Sequence, residues 1–107
     1  TPRGMVPVLA DSATGASLAE TGAILSYLAE ETGRLAPPSS DAPKRAAFLH
    51  WLFFLSNTLH ADAQLQYYTE RYVGERLTDE VRPVIKARLR WHYAMLISIW
   101  RDACAGP

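Results

Sequence analysis

Cysteine is almost absent: Cys104 stands alone in 107 residues. An internal disulfide is therefore impossible, and a reducing compartment is the expectation. No apolar run approaches the length of about 20 residues that a bilayer-spanning helix needs. Charge of one sign is missing as well. Eleven Lys and Arg balance eleven Asp and Glu, and the net charge is zero. Without a basic cluster, nucleic acid and anionic membrane surfaces have no electrostatic handle here. His50, His60 and His92 do not fall with Cys104 at metal-ligand spacing, so no metal is expected. The opening Thr1-Pro2-Arg3-Gly4 leads into no apolar core of the kind a secretory signal carries. Together with the cysteine usage this predicts a cytoplasmic protein. Internal repeats and low-complexity tracts are lacking too.

What is present falls into an α/β part followed by an all-α part. Residues 5–10 and 16–19 are short apolar strands, separated by the turn composition Asp11-Ser12-Ala13-Thr14-Gly15. A helix is predicted from Thr21 to Glu31, with Ile24, Leu25 and Leu28 on its apolar face and Gly33 at its C-cap. Pro37-Pro38-Ser39-Ser40 then marks a linker. The predicted organisation is 1–35, a linker at 36–42, and 43–107. Asp41 caps the next helix, which tolerates Pro43 in its first turn. Phe48, Leu52, Leu55 and Leu59 recur at helical spacing, which predicts one buried face. That pattern persists to Tyr72, with a bend expected within Ala61–Tyr68. Thr78 is a candidate N-cap for the last helix, although Pro83 sits awkwardly for that start. Ile85, Leu89, His92, Leu96, Ile99 and Ala103 form its stripe, and Gly106-Pro107 its end. Two long helices joined by a short loop predict an antiparallel pair.

Chemistry concentrates near the front. Pro7 interrupts the strand Met5-Val6-Pro7-Val8-Leu9. A strand proline gives up a ladder donor, and its X-Pro bond is where a cis peptide costs least. The backbone of Val6 can then turn outward and pair with a peptide-like ligand as an added strand. Glu20-Thr21 stands at a helix start and supplies a carboxylate, a hydroxyl and unpaired backbone N–H groups. Together these can hold the ammonium and the carboxylate of an amino-acid-like ligand.

Pro2-Arg3-Gly4-Met5-Val6-Pro7-Val8-Leu9 resembles the Pro-x-Gly-x-Val-Pro-x-Leu stretch of the glutathione transferase family. Leu18 to Leu28 resembles that family's Leu-x-Glu-Ser-x-Ala-Ile-x-x-Tyr-Leu, with Thr21 in place of serine. The resemblance implies a partial thioredoxin-like domain joined to part of an all-helical domain. It also implies an internal fragment, lacking the first strand-helix-strand unit and the later helices. Glutathione becomes the expected co-substrate, bound by Val6, Pro7, Glu20 and Thr21. A homodimer is implied as well, with the helices after Thr21 and Asp41 near its interface.

His60 is a candidate for holding the glutathione thiolate. It shares a helix side with Asn57 and Gln64, and the segment is similar to the same helix in bacterial beta-class transferases. A partly exposed helix histidine without a ligand is the alternative. The family residue nearest the sulfur lies upstream of Thr1, so Cys104 does not inherit that role. His50 and His92 read as structural. Tyr67, Tyr68 and Tyr72 read as packing or rim residues, unless one lines the pocket for the second substrate. Two functions follow. The parent is an enzyme in which the bound thiolate attacks an electrophilic small molecule, the isolated fragment being inactive. Alternatively it is a non-catalytic binding or assembly module on the same fold.

Overall fold

The computed structural model describes Gly4 and residues 6–105. Met5, Pro2-Arg3 and Gly106-Pro107, which the sequence assigns to the first motif and the last helix end, lie outside the described residues. The chain divides into two compact units, Thr1–Ser56 and Asn57–Pro107. The sequence places its division at 36–42 instead. Arg45 links both sides of that linker within the first unit: its Nη2 lies 3.0 Å from Glu30 Oε1, and its Nη1 donates to Pro37 O at 3.4 Å.

In the first unit, β1 (Val8–Ala10) and β2 (Ser17–Ala19) form an antiparallel pair, joined by a turn. The first strand is shorter than the predicted 5–10, and Val6 lies in a bend before it. Pro7 has no N–H to give the ladder, which is a physical reason for pairing to begin at Val8. Helix α1 (Thr21–Thr32) follows β2 directly. It ends where Gly33 takes φ 63° and donates its N–H to Ala29 O, a left-handed cap that glycine adopts without a Cβ penalty. Helix α2 (Ala42–Phe53) starts at Asp41, whose carboxylate accepts from the Lys44 N–H, with Pro43 in the tolerated first turn.

The α2 stripe is not buried as predicted. Phe48, Trp51, Leu52 and Leu55 line an open apolar groove with Pro37, Ala47 and Lys44. After α2 comes a π-helical segment, Phe54–Leu59, which periodicity did not foretell.

The second unit contains α3 (His60–Tyr67), α4 (Thr69–Val73) and α5 (Glu75–Cys104). Tyr68, at φ −113° and ψ 37°, separates α3 from α4 at the edge of the predicted bend. Helix α5 begins at Glu75 rather than after Thr78, so Pro83 lies inside it. Gly74, at φ 75° and ψ 162°, makes the turn into it, and Thr78 Oγ1 donates back to Gly74 O at 3.0 Å instead of capping. Ile85, Leu89 and His92 are buried as the stripe requires, whereas Ile99 is exposed. Asp62 of α3 meets Arg88 and His92 of α5, while Glu70 and Thr69 meet Arg82. Contacts that fall on α5 as they rise along α3 and α4 mean that the elements run antiparallel. Among the described residues no helix is long and apolar enough to cross a membrane.

Candidate functional site

The ladder pairs Val8 with Ala19, Leu9 with Leu18, and Ala10 with Ser17. The ladder stops at Val8 and Ala19, so Val6-Pro7 and Glu20-Thr21, the next residues along each strand, leave it at the same end. The two sequence motifs therefore come to one end of the hairpin, where pairing stops. The Val6–Pro7 bond is cis. Val6 is 88% exposed, and Glu20 and Thr21 are also exposed.

Glu20 is the N-cap of α1, with φ 74° and ψ 118°. It is the one non-glycine residue with positive φ among those described. Such a conformation costs an L-residue on the order of 1–3 kcal/mol and survives only where the surroundings over-determine it. Its backbone carbonyl accepts the Ile24 N–H at 3.0 Å, the first rung of the helix. Its side chain makes no capping hydrogen bond. The N–H groups of Thr21, Gly22 and Ala23 precede that rung and have no intrahelical acceptor, so they carry the positive end of the helix dipole. Carboxylate, hydroxyl and amides thus share one exposed corner, as an amino-acid-like ligand requires.

The far end of the hairpin is tied to α1 by a cluster that the sequence reading missed. Tyr27 Oη donates to Asp11 Oδ2 at 2.7 Å, and Thr14 Oγ1 lies 2.9 Å from the same oxygen of Tyr27. A phenol has one proton, so Thr14 is the donor in that second bond. The Ala13 N–H donates to Asp11 Oδ1 at 2.8 Å. From Thr21 to Tyr27 the helix rises about 9 Å, close to the length of the paired strand beside it. The hairpin is therefore held to α1 at its turn while its open end meets the head of that helix. The signal was available: an Asp-x-x-Thr turn, followed by Tyr27 inside the second motif.

The Tyr27 hydroxyl and the Ala13 N–H hold the Asp11 carboxyl below its ordinary value of 3.8, against a smaller push from burial. On Tyr27, the bond from Thr14 pulls the phenol down. The bond to Asp11, burial, and the charges of Asp11 and Glu31 outweigh it and leave the phenol raised. A carboxylate whose folded value is lowered stabilises the fold above its unfolded value, and this contribution is lost as pH falls through the folded value. The Asp11–Tyr27 tie should therefore hold at pH 4 and weaken only below. In Tyr27→Phe, the Asp11 titration followed by carbon NMR should move up toward the ordinary value. An unmoved Asp11 titration would show that the tie is absent in solution.

His60 is the first residue of α3, exposed, and belongs to the second unit; Asn57 and Gln64 are exposed on the same unit. Tyr67 and Tyr72 are exposed, whereas Tyr68 is half-buried with the Arg71 guanidinium 4.1 Å from its ring centre. His50 packs edge-on against Trp51. His92 is buried on α5, with its Nδ1 3.3 Å from Asp62 Oδ2. Arg88 also holds the Asp62 carboxylate, with Nε at 3.1 Å and Nη2 at 3.3 Å. Arg88 and His92, one turn apart on α5, were the available signal. Among the described residues, no three His, Cys, Asp or Glu side chains gather as a metal site. No protein-family model, curated protein or solved structure matches the chain.

Proposed function

We propose that the chain is part of a glutathione transferase and that the open end of its hairpin is the glutathione site. The observation that carries this reading is the meeting of Val6-Pro7 with Glu20-Thr21 at one hairpin end, with Glu20 held at positive φ. The Val6 backbone pairs with the cysteinyl part of glutathione as an added strand. Thr21 Oγ1 and the α1 amides receive the γ-glutamyl carboxylate, and Glu20 accepts from its ammonium. On this reading, residues 1–35 belong to a thioredoxin-like domain and residues 43–107 to a transferase helical domain, in a cytoplasmic homodimer. The exposed Phe53 and the apolar groove along α2 support an interface there. Sedimentation of the full-length protein as a micromolar monomer would argue against the dimer.

The reaction is attack of the bound thiolate on an electrophilic small molecule; the protein's task is to align the sulfur and keep it ionised. The test is conjugation of glutathione to an activated aryl halide by the full-length protein, with the dipeptide Cys-Gly as the competing thiol. Glutathione should be used and the dipeptide, which lacks the γ-glutamyl group, should not. Equal use of both thiols would remove the role given to Glu20 and Thr21.

His60 is assigned to stabilising the thiolate, on the strength of its polar helix side and the beta-class resemblance. His60→Ala should slow conjugation at neutral pH, with a deficit that shrinks in alkali, where the thiol ionises unaided. A pH–rate profile overlaying the wild type would make His60 a surface residue without a part in the reaction.

A further inference from the structure

We propose that Ser56 is a positioning residue for the γ-glutamyl carboxylate, acting through Gly22; this rests on the site reading above. Ser56 is the last residue of the first unit, half-buried within the π-helical segment. Its hydroxyl donates to Leu52 O at 2.7 Å, which fixes the side chain against its own helix. A Cβ placed on Gly22 would lie 3.4 Å from Ser56 Oγ and 3.7 Å from Ser56 Cβ. The second residue of α1 is therefore seated on Ser56. Its N–H is among the amides that meet the ligand carboxylate.

Size is what this contact controls. A methyl group on Gly22 would make ordinary van der Waals contact, while a larger group at either position must push the head of α1 away from Leu52–Ser56. A π turn carries an extra residue, so side chains across it are rotated relative to an unbroken α-helix. Ser56 follows Leu52 by four residues, on the side of the helix that also carries Phe48. Gly22 and Ser56 together set the position of the α1 amides relative to Val6, in the bend before β1. The ligand spans both, so a shift of the helix head is felt as lost alignment.

Glutathione affinity and conjugation kinetics of the full-length protein test this. Ser56→Leu and Gly22→Val should each raise KM and Kd for glutathione on the order of ten- to a hundredfold. KM for the electrophile should be unchanged. Ser56→Gly introduced into Gly22→Val makes room for the valine and should restore most of the affinity. Should Ser56→Leu fail to fold, the Gly22→Val and Gly22→Val/Ser56→Gly pair carries the test. Unaltered glutathione affinity in the folded variants overturns the proposal, as does a loss that Ser56→Gly does not rescue. A wild-type protein that binds no glutathione overturns the site reading itself; wild-type binding with unmoved variants overturns only the role of Ser56.

Discussion

Glu20→Gly should make the protein more stable while removing most of its affinity for glutathione. Glu20 holds φ 74° and ψ 118° at the head of α1, a conformation that costs an L-residue roughly 1–3 kcal/mol. Glycine adopts positive φ freely, but it brings an unfolded-state entropy penalty of about 0.5–1 kcal/mol. The net expectation is a gain of about 1 kcal/mol in denaturant unfolding, or none where the strain is at the low end of that range. Binding moves the other way. A charge-assisted hydrogen bond to the ligand ammonium is worth about 1.5–3 kcal/mol, equivalent to ten- to a hundredfold in Kd. Glu20→Ala separates the two effects, because alanine keeps the strain and loses the carboxylate. It should match glycine in affinity and fall below it in stability. A glycine variant that binds as wild type would mean that the Glu20 carboxylate has no part in holding the ligand.

The second large effect is expected at Asp62→Ala, far from any ligand chemistry. The Asp62 carboxylate is 8% exposed as a residue and is shared by Arg88 and His92. Removing it strips Arg88 of its acceptor and leaves a void beside the buried His92, between α3 and α5. Fully buried pairs lose 3–5 kcal/mol when one partner is removed. The Arg88 side chain is 60% exposed and can be rehydrated, so the cost should be about 1–3 kcal/mol. Urea unfolding measures it. Asp62→Asn should lose less, because its amide oxygen still accepts from Arg88. A wild-type midpoint for Asp62→Ala would show that these contacts add nothing to folding.

Local grammar made much of this legible. The turn at Asp11–Gly15, the Gly33 cap, the Asp41 cap and the stripe through Ile85, Leu89 and His92 are all written in residues whose physics acts within one turn or one strand. The cis bond at Val6–Pro7 was anticipated for the same reason. Three features were not legible. Gly74 sets the start of α5 by its conformation, whereas the sequence offered Thr78 as a better-looking cap. Pro83 discouraged an early start, yet α5 carries it in its interior. The π-helical segment Phe54–Leu59 widens the helical turn, and no α-helical period reports that. The site shows the same division. Glu20 and Thr21 were visible as residue types, but the strain at Glu20 is a backbone property without a sequence signature. Asp11, Tyr27 and Ser56 act across the fold, through contacts that only the folded chain brings together.

Amide shift mapping of the full-length protein with S-hexylglutathione, a glutathione derivative that cannot react, tests the central claim most directly. Saturable perturbations should centre on Val6, Thr21, Gly22 and Ala23 and should largely disappear in Glu20→Ala. Perturbations centred elsewhere, or none at millimolar ligand, would contradict it.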